Sequence, residues 1–312
     1  MRAVNPPIGL FAAVMGLVGL GLAARAAASL FPGVFRAPAY FTELWIALGL
    51  LAYVALVLVY SRKAWVAWDD VKAEFQDPAK MGFVGAPCVA TGLVAAALAP
   101  YFPGFAGALW WIAVAMTAIV LALGVARIAR LGLATPQLHP AWIVVLMGGI
   151  VLPTGGLALG YGDMARVTFC AGAIAGLLLV VPLASRPPLP EPLRPTWFIL
   201  VAPPSLLYLN GSALFGPALF EPLFYVAVAV VAGVLFQART LHRVGFGPVW
   251  WSITFPLDAF AFAAARFARA HPEPVWRIVA GLGIVLATLA VILVLGRSMI
   301  AFARRPAHAR VQ

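Results

Sequence analysis

Trp250-Trp251-Ser252-Ile253-Thr254-Phe255-Pro256 sets a proline inside an apolar stretch, directly after a phenylalanine. Three earlier apolar stretches are interrupted in the same way, at Pro87, at Pro153 and at Pro203 with Pro204. The interruptions lie 66, 50 and 53 residues apart, about the length of one membrane helical hairpin, and the intervening stretches have none near their middle. A proline within a helix removes a backbone hydrogen bond and clashes with the preceding turn, costing about 3 kcal/mol in an exposed helix. In a membrane such breaks persist where the freed backbone is buried in protein or lines a watery cavity. The alternation therefore predicts repeated hairpins whose interrupted members gather around a central path.

Composition sets the medium. Hydrophobic residues make up 64% of the 312 positions and charged residues only 10%, which marks an integral membrane protein. The apolar runs are continuous rather than alternating, which excludes a β-barrel. They predict ten spans, near 7–28, 41–61, 81–100, 105–129, 141–160, 164–184, 196–214, 217–238, 248–270 and 276–302, in one transmembrane domain over 1–312. The first could pass for a signal peptide, but its long apolar run reads as a retained helix.

The net charge of +11 is a topology signal rather than a nucleic-acid signal, because the basic residues sit between spans. With the N-terminus inside, Arg25, Arg36, Arg166, Arg266, Arg269 and Arg277 fall outside, and the other fifteen of the 21 Lys and Arg fall inside. An even number of spans with both termini cytoplasmic follows. The expected location is the cell (inner) membrane, with lipid as the surrounding partner.

Little points to catalysis. Cys88 and Cys170 both lie within spans, giving neither a disulfide framework nor metal spacing. The four histidines are near span ends, and no nucleophile–base set or phosphate loop stands out. No catalytic residue, metal or cofactor is expected, so the chain does not read as an enzyme. His139-Pro140 reads as a cap or interfacial histidine at the start of the fifth span.

Three local patterns resemble the tellurite-resistance/dicarboxylate transporter family, which has bacterial members and plant guard-cell anion-channel members. Asp70 to Pro78 resembles the acidic segment that ends in proline after the family's second helix. Arg194-Pro195-Thr196, followed by Val201-Ala202-Pro203-Pro204, is similar to the entry and break of its seventh. Trp250 to Pro256 resembles its ninth helix, where the phenylalanine before the break blocks the pore. The resemblance covers almost the whole chain. It implies five hairpins in a quasi-five-fold ring, kinked odd-numbered helices lining a central pore, and a homotrimer with one pore per subunit. By this analogy Gly16, Pro87, Pro153, Pro203 and Pro256 are the pore-lining kinks. Gly16 replaces a proline, since Val14 precedes Met15-Gly16 where relatives often have one.

On a helix turning 100° per residue, Phe255, Asp258, Phe262, Arg266 and Arg269 share one stripe, with Arg266 about 16 Å along the axis from Phe255. Facing a pore, that stripe would run from an aromatic block to a cationic mouth that concentrates anions. Phe262 and Arg266 are candidate vestibule residues, although interfacial arginines at a helix end are equally ordinary. Asp258 stands apart: an intramembrane acid is costly and marks function by default. It reads first as a hydrogen-bonded brace between helices and second as a proton carrier. The resulting expectation is a channel for small inorganic or organic anions gated by Phe255. The alternative is a proton-coupled carrier for a C4-dicarboxylate, sulfite or an oxyanion such as tellurite.

Overall fold

The computed structural model describes residues 6–32, 38–132, 137–185 and 188–304, and every regular element among these is helical. Of the basic residues counted for orientation, Arg2, Arg36, Arg186, Arg305 and Arg310 lie outside the described residues. In chain order the first helices are α1 (Phe11–Ala28), α2 (Pro38–Val66), α3 (Trp68–Gln76), α4 (Pro78–Met81), α5 (Ala86–Leu98), α6 (Pro103–Leu131) and α7 (Trp142–Leu146). The rest are α8 (Pro153–Gly156), α9 (Gly162–Gly176), α10 (Val180–Ala184), α11 (Ala202–Phe215), α12 (Pro217–Ala238), α13 (Thr254–Ala270) and α14 (Pro274–Ala303). Short 3₁₀ stretches precede or join several of them, notably Ile8–Leu10, Gly148–Ile150, Glu191–Val201 and Pro248–Ile253.

Hydrocarbon offers the backbone no partner, so apolar runs satisfy their own polar groups as helices. Among the described residues eight helical stretches are long and apolar enough to cross a membrane. They fall on the first four, sixth, seventh, eighth and tenth expected spans. The fifth is split into α7, a 3₁₀ turn and α8. The regular part of the ninth, α13, is only 17 residues long.

The prolines act differently from the simple sequence argument. Each one stands in the first turn of an α-helix, not its interior: Pro87 in α5, Pro153 in α8, Pro203 in α11, and Pro256 as the third residue of α13. Helical backbone leads straight into each of these segments, with Gly85, Leu152, Val201 and Ile253 all in the right-handed helical conformation. Each proline therefore still withholds an N–H from the turn before it, while its fixed φ suits the helix that follows. The interruption is the 3₁₀ or turn segment that leads in, and the proline stands where the helix changes type. α1 has no such proline and runs unbroken through Gly16, after a 3₁₀ turn at Ile8–Leu10.

Odd and even stretches differ in where they sit. In their most apolar windows, Ile8–Ala28 is 78% buried, Pro78–Leu98 89% and Glu191–Phe215 61%. The corresponding figures for Tyr40–Val66, Pro103–Arg130 and Pro217–Ala238 are 17%, 22% and 22%. Helices α1, α5, α11 and α13 thus form the interior, with α1 packed on α2, α5 and α13.

Polar ties fix the ends. Arg25 on α1 binds Glu43 on α2 at 2.9 Å and donates to the Ala97 carbonyl of α5 at 2.9 Å. At the opposite end the acidic segment acts as a clamp. Glu74 on α3 is buried and accepts from Lys63 Nζ at 2.8 Å, Tyr60 Oη at 2.8 Å and the Ile8 backbone N–H at 3.3 Å. Asp77 caps α4 by accepting from the Ala79 N–H, which accounts for Asp77-Pro78 as a break between α3 and the third stretch. His139, buried, contacts the Ala79 carbonyl at 2.9 Å, and Trp142 Nε1 donates to the Pro78 carbonyl. These contacts pin the entry of the fifth stretch to that of the third.

Candidate functional site

Phe255 is the second residue of α13, where the 3₁₀ stretch Pro248–Ile253 passes into α-helix. Its side chain is buried and lies between two cavities. The first, about 40 Å³, lies on the side of the N-terminal halves of the odd stretches. Its wall takes Met15 from the first, Val89 from the third, Ile150 from the fifth, Pro203 from the seventh and Trp251, Phe255 and Pro256 from the ninth. The second, about 10 Å³, lies on the side of their C-terminal halves. Gly19, Leu93, Thr154, Leu209 and the ninth-stretch residues Asp258 and Phe262 line it. Phe255 and Leu206 belong to both walls. Every lining residue of both cavities comes from an odd stretch.

Of the five expected kink residues, Pro203 and Pro256 line the first cavity, whereas Gly16 and Pro153 line neither. Pro87 faces away from this axis, into a separate cavity of about 360 Å³ beside Tyr53, Cys88 and Thr91. The physical reason is geometric: a first-turn proline is placed by its backbone, and in α5 the side facing the axis is taken by Ala86 and Val89. Gly16 serves a close approach instead. A Cβ there would stand 2.1 Å from Thr254 Oγ1, at the start of α13. Gly19 does the same one turn on, where a Cβ would meet Asp258 Oδ2 at 2.9 Å and the Phe255 ring at 3.1 Å.

Asp258 is 1% exposed, and neither carboxyl oxygen has a hydrogen-bond partner among the described residues. The expectation of a hydrogen-bonded brace is therefore not met. Across the small void, Thr154 is instead committed to Asn210, whose Nδ2 also donates to the Ile150 carbonyl at 2.8 Å. Ser252, at 6% exposure, lines the first cavity, and its hydroxyl too has no partner among the described residues. Arg266 is exposed at the far end of α13, while Arg269 donates to the Ala26 carbonyl of α1. Phe255, Asp258 and Phe262 thus share one wall, and Arg266 stands beyond it.

Leu206, Ser252 and the Thr154–Asn210 pair had no signal in the sequence. Leucine and serine are common in membrane helices, and Asn210 meets Thr154 only through tertiary packing. Among the described residues no group of His, Cys, Asp and Glu is placed to hold a metal.

Comparison with known proteins follows the same lines. The S-type anion channel SLAH1 of Arabidopsis thaliana is 25% identical over 268 residues, 82% of this chain and 69% of its own length. The guard cell S-type anion channel SLAC1 of the same plant is 24% identical, across 85% of this chain and 50% of its own length. A tellurite resistance protein TehA homolog of Haemophilus influenzae is 27% identical over 177 residues, 55% of this chain and 52% of its own. The chain spans about half the length of the last two. The two plant relatives are named as anion channels and the bacterial one as a tellurite resistance protein homolog. A family model described as voltage-dependent anion channel matches residues 5–299, and the chain belongs to that SLAC1 family of membrane proteins.

Proposed function

We propose that the chain forms a central anion-conducting pore, lined by its five odd-numbered stretches and closed by the ring of Phe255. One observation carries this: Phe255 stands between two cavities whose walls draw on all five odd stretches and on no even one. An apolar ring in a neck this narrow leaves no room for a hydration shell, and an anion stripped of water there costs many kcal/mol. Ten crossings, with the split fifth stretch and the short ninth each counted as one, give a ring of five hairpins with both termini on the cytoplasmic side. The even helices then face lipid and neighbouring subunits of a homotrimer, in keeping with their exposure. Arg266 adds positive potential at the outer mouth without placing a fixed cation in the neck. Permeant species are small inorganic or organic anions. Current recording in planar bilayers tests this reading: Phe255→Ala should conduct far more than the parent, and equal currents at equal membrane insertion would refute the gate.

Asp258 favours a second reading, proton-coupled carriage of a dicarboxylate, sulfite or tellurite-like oxyanion. A buried acid beside the neck, with no hydrogen-bond partner among the described residues, is what a proton-carrying step would require. Reversal potentials decide between them. If they track the anion gradient and ignore the proton gradient, in both the parent and Asp258→Asn, the channel stands. If they follow the proton gradient and Asp258→Asn abolishes that dependence, the carrier replaces it.

A further inference from the structure

Hydroxyls in this protein are mostly committed to their own helix. Thr91 donates to the Pro87 carbonyl, Ser205 to Val201, Thr254 to Trp251, Thr288 to Ile284 and Ser298 to Val294, at 2.7–2.9 Å. Such back-bonding is the ordinary way to satisfy a hydroxyl in an apolar interior. Ser252 departs from it. It is 6% exposed, its Oγ has no partner among the described residues, and it lines the 40 Å³ cavity whose wall is otherwise almost wholly apolar. The hydroxyls of Thr117 and Ser212 also lack partners among the described residues, but neither residue lines either of the cavities that meet at Phe255.

Position gives this donor a use. Ser252 and Phe255 are three residues apart where 3₁₀ passes into α-helix, so their side chains follow one another on one face, about 6 Å apart along the axis. The hydroxyl therefore sits one turn before the ring. Leaving a buried hydroxyl unmet costs about 1–3 kcal/mol, a cost that a ligand accepting its hydrogen would recover. The cavity volume suits one small ion or about three to four waters, at roughly 10–15 Å³ of such space each. Ala86 and Val89, from the first turn of the 13-residue helix α5, share the wall, so that helix begins beside the space. A cation would need several oxygen ligands, which this wall lacks.

We propose that Ser252 Oγ, shielded as it stands and turned into the cavity by rotation about the Cα–Cβ bond, is the donor of a binding site for a single small anion, halide- or nitrate-sized, on the N-terminal side of Phe255. The site deepens the proposed pore and rests on that reading. With one neutral donor and no fixed cation, it is weak by construction, which suits an ion that must also leave. It supplies selectivity by replacing part of the hydration shell of the anion before the ring moves aside.

The test separates this site from the gate. Bromide is soaked into crystals of the parent, Ser252→Ala and Ser252→Thr proteins, and anomalous diffraction is recorded. Currents in chloride and in nitrate are measured in planar bilayers for Phe255→Ala, alone and combined with each Ser252 substitution. A bromide peak beside Ser252 in the parent and in Ser252→Thr, absent in Ser252→Ala, is expected. So is a roughly threefold to tenfold rise in the half-saturating anion concentration for Phe255→Ala/Ser252→Ala, with recovery in the threonine version. Ser252→Ala removes a hydroxyl that bonds to nothing described, so normal assembly is expected, and thermal melting checks it. Equal bromide occupancy in Ser252→Ala, or no bromide in the parent, overturns the site even if Phe255→Ala conducts strongly. If Phe255→Ala fails to conduct, the gate is wrong, and the bromide result alone then decides Ser252.

Discussion

The odd and even stretches are both apolar, yet they meet different surroundings and are built differently. α2, α6, α12 and α14 are single helices of 22 to 30 residues with large side chains turned outward, among them Leu51, Ile119, Leu219 and Leu289. The odd stretches enter through 3₁₀ or turn segments and carry Gly and Ala where neighbours press close. Lipid tails are as apolar as a leucine side chain, so hydrophobicity alone does not decide which helix is inside. Close packing does, and it depends on small residues at particular contacts. The contrast teaches that the most hydrophobic helices are the wall and that the candidate site is lined by less regular odd stretches, while the sixth stretch, broken at Leu177–Leu179, is irregular yet lines neither cavity.

That comparison can be broken most decisively at Phe255. Phe255→Ala should raise anion conductance tenfold or more, whereas Phe262→Ala, which lines only the second void, should change it by less than about twofold. A comparable gain from Phe262→Ala would move the constriction away from the 3₁₀–α junction. The seam between an odd and an even stretch comes next. Glu74→Gln leaves Lys63 buried without its counter-charge, and such a loss typically costs about 3–5 kcal/mol. Thermal melting in detergent should show a large drop, with a much smaller one for Lys63→Met/Glu74→Leu. Equal drops would mean that the charges matter less than the packing.

Glycines sharpen the contrast further. Gly16→Ala would force a methyl against Thr254 and should cost about 1–3 kcal/mol, while Gly233→Ala on α12 meets nothing within 4 Å and should be neutral or slightly stabilising. Melting temperatures that shift alike would deny any difference between the inner and outer sets. The smallest effect belongs to the lipid-facing surface. Leu289→Ala, at a site 60% exposed, should change stability by no more than about 0.5 kcal/mol, whereas Val291→Ala, fully buried on the same helix, should cost clearly more. A large loss at Leu289 in the assembled protein would place a subunit contact there.

Much of the site was legible because it depends on chain-local chemistry. Phe255 before Pro256 marks a residue at a change of helix type, and the stripe through Asp258 and Phe262 follows from helical spacing. The ends of that stripe were less legible. Arg269 turns to the Ala26 carbonyl, and Asp258 meets a void instead of a bracing partner. The prolines were visible as interruptions, but whether a proline breaks a helix or begins one depends on the conformation of the preceding turn. For Pro87 that turn packs on the fifth stretch, Gly82 against Ala141 and Gly85 against the Val144 carbonyl.

By itself, then, the sequence determined the medium, the helical class and the proline-marked interruptions of four odd stretches, though not the 3₁₀ break at Leu177–Leu179 in the sixth. Hydropathy and proline act over one or two turns, and a bilayer leaves the backbone no other solution. Only the tertiary structure decided that Leu206 joins Phe255 between two cavities, that Pro87 faces a different one, and that Glu74 clamps the entry of α1. Only it left Ser252 and Asp258 without hydrogen-bond partners among the described residues, on opposite sides of one ring. Those outcomes depend on contacts between residues tens to hundreds of positions apart. A hydroxyl or a carboxyl has the same chemistry wherever it stands, and what the fold sets beside it decides its role.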